Sequence, residues 1–280
     1  MISPKIYGLI GNPVKHSLSP LMHNAAFKHL GIDAEYRLFE LKDEEVAPFI
    51  KGLVGKNIFG LNVTIPYKAK VIPLLDNIDK EAAAIAAVNT VSLRDGKSKG
   101  FNTDGAGFLK HLSEDLKFAP QGEKIVILGA GGASKAVAFY LAKAGVKSIA
   151  LFDIYKDKTE TLVKELKNNF PAVSIKAAES VAALDIASAD LLVNTTPIGM
   201  KGSDSSPVDE NLLGKNTLVY DLIYNPAETK LLKAARERGA KTANGSGMLL
   251  YQGVLAFEIW TGKKAPVEVM RNALKGGIHS

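Results

Sequence analysis

The chain has 280 residues, with 35 Lys+Arg against 29 Asp+Glu, a formal net charge of +6, and no cysteine. The absent thiols exclude disulfides, thiolate metal centres, iron–sulfur clusters and a cysteine nucleophile. At 46% hydrophobic and 23% charged residues the composition is that of a globular chain long enough for two domains.

The positive excess is scattered among acids, as in Lys42-Asp43-Glu44-Glu45 and Arg236-Glu237-Arg238. Nucleic-acid binders concentrate such charge in a stripe, so no nucleic-acid partner is expected. No apolar run reaches the roughly 18 residues of a spanning helix. Met1-Ile2-Ser3-Pro4-Lys5 lacks a signal-peptide layout. The expectation is a cytoplasmic protein with no membrane partner and no metal.

Ile6 to Ile10 is an apolar strand ending at Gly11-Asn12-Pro13. Ser19-Pro20 opens a helix, Ser as cap and Pro at the first position. Leu21, Met22, Ala25, Ala26 and Leu30 follow at helical spacing until Gly31. Glu35 to Leu41 is a strand, and Asp43 caps a helix running to about Val54. Ile58 to Val63 is a third strand, ended by Thr64-Ile65-Pro66, with Lys68 one turn into a helix. A helix over Lys80 to Ala87 precedes a strand over Asn89 to Leu93, and Asp95-Gly96 is a hairpin turn.

The middle of the chain alternates more regularly. Strands are predicted over Lys124–Leu128, Ser148–Phe152, near Val173, over Ala189–Asn194, Leu218–Leu222 and Lys241–Ala243. Helices fall from after Ser134 to about Ala144, over 156–168 and over 228–238. Such alternation means βαβ units and a parallel sheet. The last 35 residues are helical, over 247–261 and 266–274, and are expected to pack back on the first domain. The fold class is α/β. Residues 1–104 are predicted to form a substrate-binding domain, 105–245 a Rossmann-type dinucleotide domain and 246–280 the returning helical tail.

Gly129-Ala130-Gly131-Gly132-Ala133-Ser134 lies between a strand and a helix. Glycines there allow a tight turn and close approach to a pyrophosphate, which meets the free N–H groups of the helix start. Asp153, at the end of the next strand, is placed to accept from a ribose hydroxyl and to repel a 2′-phosphate, which leans the site towards NAD. Lys156 and Lys158 offset that repulsion, and Asp153 also has the plainer reading of a helix cap.

Polar residues cluster at strand ends in the first hundred residues. Ser17 and Ser19 flank Leu18 just before a helix, suited to a carboxylate or phosphate, though such serines are commonly caps. Thr64 and Lys68 follow the third strand. Asn89-Thr90 and Asn102-Thr103-Asp104-Gly105 complete the set. An Asp beside a Lys keeps the ammonium charged and fixes its rotamer.

In order along the whole chain, eight motifs resemble the shikimate dehydrogenase family. They are Ser17-Leu18-Ser19-Pro20, Asn62-Val63-Thr64-Ile65-Pro66-Tyr67-Lys68, Ala87-Val88-Asn89-Thr90 and Asn102-Thr103-Asp104-Gly105. Gly129-Ala130-Gly131-Gly132-Ala133, Asn194-Thr195-Thr196-Pro197-Ile198-Gly199-Met200, Asp221-Leu222-Ile223-Tyr224-Asn225-Pro226 and Gly245-Ser246-Gly247-Met248-Leu249-Leu250-Tyr251-Gln252 follow.

The resemblance implies reduction of 3-dehydroshikimate to shikimate with NADPH, in the route to aromatic amino acids. It implies that Ser17, Ser19 and Tyr224 bind the substrate carboxylate. Thr64, Lys68, Asn89, Asp104 and Gln252 would hold ring hydroxyls, with Lys68 and Asp104 as the catalytic pair. Gly129, Ala130, Gly131, Gly132, Ala133, Asp153, Leu222 and Gly245 would bind the cofactor, in a cleft that closes between the domains. One departure stands out: the family's Asn-Arg-Thr segment, which selects NADP, is replaced by Asp153-Ile154-Tyr155. The cofactor expectation is therefore NADP or NAD. Two alternatives are an NAD-linked quinate/shikimate dehydrogenase and a catalytically silent sensor on the same fold, and the quaternary expectation is monomer or homodimer.

Overall fold

The structure is a computed structural model that describes residues 3–278. In chain order its elements are β1 (Lys5–Gly11), α1 (Ser19–His29), β2 (Ala34–Glu40), α2 (Asp43–Lys51), β3 (Ile58–Val63), β4 (Asn77–Ile78), α3 (Lys80–Ile85), β5 (Thr90–Arg94), β6 (Lys97–Phe101) and α4 (Asp104–Glu114). They continue as β7 (Lys124–Leu128), α5 (Gly132–Lys143), β8 (Ser148–Phe152), α6 (Lys156–Asn169), β9 (Ser174–Ala177), β10 (Leu191–Asn194), β11 (Leu218–Asp221), α7 (Lys230–Glu237), β12 (Lys241–Ala243), α8 (Ser246–Thr261) and α9 (Val267–Ile278). The chain divides into two compact units. One takes in the chain up to Gly107 and again from Leu249; the other is Phe108–Met248.

The first unit is built on a sheet of strand order β2-β1-β3-β5-β6-β4. Alternation along β1 explains its two-sided packing. Tyr7 and Leu9 face a core shared with Met22 and Phe27 of α1 and with Leu250, Val254, Phe257 and Met270 of the C-terminal helices. Ile10 faces the opposite core with Val46, Phe49 and Ile50 of α2 and Leu61, Val63 and Val91 of neighbouring strands. The period-two pattern of a strand thus feeds two layers. The tail returns to this unit because Leu250, Val254 and Phe257 of α8 are buried in that core; each such side chain buried is worth roughly 1.5–3 kcal/mol.

The sheet is mixed rather than parallel. β5 runs antiparallel to β3 and to β6, because Asp95 and Gly96, at φ 51 and 75, form a two-residue hairpin turn that reverses the chain. Helix α4 occupies a stretch whose sequence reads as a domain boundary. Gly105 and Gly107 weaken its helical signal, yet Gly107 is required, since a Cβ there would lie 2.5 Å from the backbone N of Gln252.

Smaller corrections follow from local chemistry. Ser19 is the first helical residue of α1, with Leu18 at the cap and no side-chain cap bond. Asp43 is likewise inside α2, whose entry is held by Glu45 accepting from the Lys42 N–H at 2.6 Å. α2 stops at Lys51 before Gly52, and residues Val54–Lys56 form a 3-10 turn. Lys68 sits in a turn between β3 and the 3-10 segment Ile72–Leu74, not on an α-helix.

The second unit carries a parallel sheet of order β12-β11-β10-β7-β8-β9. Read from the other edge this is the 3-2-1-4-5-6 order of a dinucleotide-binding fold, with its switch point between β7 and β10. The core strand residues Val126, Leu128, Leu192 and Val219 pack with Leu231, Leu232 and Ala235 of α7. Among the described residues, no helix is long and apolar enough to cross a membrane.

Candidate active site

In the first unit, the ends of β3, β5 and β6 bring three sequence-predicted side chains together. Lys68 is fixed by its neighbours. The buried Tyr67 donates its hydroxyl to Leu41 O at 2.6 Å, and the Lys68 carbonyl accepts from Val88 N at 2.8 Å. From this anchored turn, Lys68 Nζ donates to Asp104 Oδ2 at 2.6 Å, with side-chain exposures of 18% and 8%. That ion pair is only partly solvated, so its attraction is little screened.

Asp104 is the first residue of α4, and its N–H donates to Asn102 Oδ1 at 3.1 Å. Asn89 Nδ2 donates to Asp104 Oδ1 at 2.8 Å and to Thr103 Oγ1 at 2.9 Å, and reaches Gln252 Oε1 at 3.4 Å. Asn89 Oδ1 accepts from Thr103 N at 2.7 Å and from Thr90 Oγ1 at 3.0 Å. Both Asp104 oxygens and the Asn89 amide are therefore held in one orientation. Gln252 enters from α8, with its Nε2 donating to Leu249 O at 2.9 Å.

The serine pair lies in the same unit. Ser17 Oγ donates to Ser19 Oγ at 3.2 Å, and the Ser19 N–H donates to Ser17 Oγ at 3.3 Å. The Tyr36 hydroxyl donates to Asn62 Oδ1 at 2.8 Å, and Asn62 Nδ2 donates to Asn89 O and to Thr90 Oγ1. A buried polar chain thus runs from Tyr36 through Asn62 to Asn89. Thr64 follows β3, its N–H donating to Ile10 O at 2.9 Å and its methyl lying against Gly11.

Sequence reasoning does not single out Tyr36 as a member of this network. Tyr36 reads as one more apolar-facing strand residue, and nothing in its spacing distinguishes it. Asn62 and Thr103 sit inside recognisable motifs, but their side chains are spent on neighbouring protein groups.

The second unit carries the Gly-rich turn. Gly129 has φ +100, and a Cβ there would lie 2.4 Å from Thr195 Oγ1. Glycine is thus demanded both by the backbone conformation and by contact with the β10 end. Gly131 and Gly132 instead face open space. Gly131 is the N-cap of α5 and offers no side-chain cap. The first-turn N–H groups of α5 are therefore free of a side-chain acceptor at an open, positive helix end, which fits a pyrophosphate. The residues present suit a dinucleotide.

Asp153 does not stand free at the end of β8. Its Oδ2 accepts from Ala130 N at 2.7 Å, inside the Gly-rich turn, and its Oδ1 accepts from Tyr155 N at 2.9 Å. Both oxygens accept from backbone N–H groups, but the N-cap of α6 is Tyr155, with no side-chain cap bond, so Asp153 does not cap the helix. Lys158 lies over the Tyr155 ring at 4.1 Å, and Lys156 pairs with Glu160 at 3.7 Å.

Leu222 and Gly245 are adjacent: a Cβ on Gly245 would overlap Leu222 O at 1.9 Å. Tyr224 lies on the loop after β11, in this second unit rather than with the serines.

Comparison with known proteins covers the same motifs. The family model described as shikimate dehydrogenase substrate binding domain matches residues 9–91, and that described as shikimate 5'-dehydrogenase C-terminal domain matches residues 245–275. The chain is 47% identical to the shikimate dehydrogenase (NADP(+)) of Methanopyrus kandleri, covering 96% of this chain and 94% of the relative. Among solved structures, a shikimate dehydrogenase in complex with NADP+ superposes with a TM-score of 0.92 at 43% identity, covering 98% of this chain and 96% of the other. Shikimate 5-dehydrogenase from Thermus thermophilus, in complex with NADP(H) and shikimate, gives 0.88 at 34% identity, covering 98% and 99%. The lean towards NAD finds no support in these relatives. At Asp153, Ala130 N and Tyr155 N each occupy one acceptor site of the carboxylate.

Proposed function

This chain belongs to the shikimate dehydrogenase family, and from that premise we propose that it interconverts 3-dehydroshikimate and shikimate with NADP(H). The observation that carries this reading is the 2.6 Å Lys68–Asp104 pair, backed by Asn89 and within one network with Gln252. A sensor that had lost catalysis would have no need of a buried ammonium–carboxylate pair aimed at a polyol.

Reduction of a ketone to an alcohol places a hydride on the carbonyl carbon and a proton on its oxygen. Bound NADPH supplies the hydride. Lys68 donates a hydrogen bond from its ammonium to that oxygen, stabilises the charge developing on it and delivers the proton. Asp104 holds the ammonium in place and accepts from a neighbouring ring hydroxyl. Thr64, Asn89 and Gln252 complete the hydroxyl contacts, a donor and acceptor set that penalises ligands lacking them. Ser17 and Ser19 take the carboxylate.

In the second unit, Gly129, Ala130, Gly131, Gly132 and Ala133 receive the pyrophosphate, and Leu222 and Gly245 line the dinucleotide. NADP is the preferred form: the relatives carry that name, Asp153 is occupied by Ala130 and Tyr155, and Lys156 and Lys158 stand beside it in the chain. The protein acts in the formation of aromatic amino acids.

Replacement of the acid–base group is the direct test. Lys68→Ala should lower turnover by roughly 10²–10⁴-fold, the usual worth of a positioned general acid, while the KM for shikimate changes only a few-fold. Near-normal turnover in that variant would remove Lys68 from the chemistry.

A further inference from the structure

Asp221, the last residue of β11, has a side chain at 0% exposure, and the reaction as described makes no use of it. Three donors converge on its carboxylate. Asn194 Nδ2 and the Ile223 N–H reach Oδ1 at 3.0 and 3.1 Å, and Thr229 Oγ1 donates to Oδ2 at 2.7 Å. Burial pushes the carboxyl above its ordinary range, and the three hydrogen bonds pull it back towards the charged form.

Each donor belongs to a different segment. Asn194 ends β10, and its Oδ1 accepts from Thr196 N and Thr196 Oγ1 at 3.1 and 2.6 Å, while its Nδ2 also reaches Ile198 O at 3.2 Å. The turn after β10 is therefore wound on Asn194. Ile223 begins the loop after β11. Thr229 is the N-cap of α7, where its Oγ1 also accepts from Leu232 N at 3.3 Å.

The same knot reaches the remaining strand ends. Leu222 N donates to Asn194 O at 2.9 Å, Gly245 N donates to Ile223 O at 3.1 Å, and Thr195 donates through both N and Oγ1 to Leu128 O. Gly199, at φ +113, lies against Ile223 and Thr229. The ends of β7, β10, β11 and β12 are thus tied through groups that hang on one carboxylate. Leu222, Gly245 and Gly129, three residues placed above against the dinucleotide, are bonded or packed within that assembly.

We propose that Asp221 is a positioning residue of the dinucleotide site, a buried anion whose three-way acceptance sets the loops after β10 and β11 and, through them, the Leu222–Gly245 wall. The inference rests on the dinucleotide reading of the Phe108–Met248 unit. A carboxylate suits the task because it accepts at both oxygens and carries no hydrogen to oppose the incoming donors. An amide of the same shape would turn an N–H group towards one of them.

The test compares Asp221→Asn, Thr229→Val and Thr229→Ser with the unaltered chain. NADPH is titrated and followed by its own fluorescence, shikimate is titrated without cofactor by calorimetry, and thermal melting is recorded alongside. Asp221→Asn should loosen NADPH at least tenfold and leave the shikimate dissociation constant within twofold. Thr229→Val should loosen NADPH several-fold, and Thr229→Ser, which keeps the hydroxyl, should stay within twofold.

NADPH binding within twofold of normal in folded Asp221→Asn, or an equal loss for shikimate, overturns the proposal. If Asp221→Asn does not fold, the threonine pair decides, and equal NADPH binding by Val and Ser overturns it. Because these are binding measurements, a chain that binds NADPH yet fails to oxidise shikimate would refute the dehydrogenase reading and leave this one standing.

Discussion

Acid should weaken the first unit through a single histidine. His23, on α1, is wholly buried and stacks on Tyr36 with ring centroids 4.5 Å apart at 6°, with Trp260 at 5.2 Å. Neither ring nitrogen has a hydrogen-bond partner. Burial alone depresses its pKa from 6.5 to about 3. The folded state therefore refuses a proton that the unfolded chain accepts below about 6.5. The neutral ring's contribution is fully present above that pH and is lost progressively as pH falls towards 3.

At 1.36 kcal/mol per pH unit, the gap is worth on the order of 5 kcal/mol in all, of which roughly half is gone at pH 4.5. Trp260, the single tryptophan, lies in the same unit and reports its unfolding. Urea titrations at pH 7 and pH 4.5 should show wild type losing about 2–3 kcal/mol more between the two than His23→Leu, since other titrating groups cancel in the difference. Equal acid losses in the two proteins would refute the reasoning and mean that the ring is reached by water or protonated in the fold.

Gly107→Ala forces a Cβ to within 2.5 Å of the Gln252 backbone N. Overpacking of this kind costs about 1–3 kcal/mol, and because Asp104 and Gln252 ride on the two helices forced apart, kcat/KM for shikimate should fall with the melting temperature. A two-by-two assay of shikimate and quinate with NADP and NAD should show shikimate with NADP as the best combination; a clear preference for NAD would restore Asp153 as a selector. Asp153→Ala should raise KM for both dinucleotides together, because it frees Ala130 N and Tyr155 N; a selective gain for NADP would contradict that role.

Much of this molecule is legible in its local signals. The parallel strands of the second unit are short, apolar and bounded by Gly or by capped helices, so Lys124–Leu128, Ser148–Phe152 and Lys241–Ala243 could be read to the residue. Gly129 announces its turn because no other residue tolerates φ +100 with Thr195 so close. Signals failed where the deciding partner is distant. α4 holds two glycines that local propensity counts against a helix, and its reason for Gly107 is a residue 145 positions later. Lys68 has the look of a helical lysine until Val88 and Leu41 pin its turn.

The candidate site divides in the same way. Residue types at strand and turn ends were enough to single out Ser17, Ser19, Lys68, Asn89 and Asp104, whereas Gln252, inside α8, was named by the family resemblance. Folding alone decided what those groups are bonded to. It joined Lys68 to Asp104 and Asn89 to Gln252 across 163 positions, and it drew Tyr36 out of an anonymous strand, with Asn62 and Asp221, into buried polar networks. It also turned both oxygens of Asp153 inwards. A carboxylate's chemistry is set by which donors reach it, and in a low-dielectric interior those donors are chosen by the packing of the chain rather than by its local order.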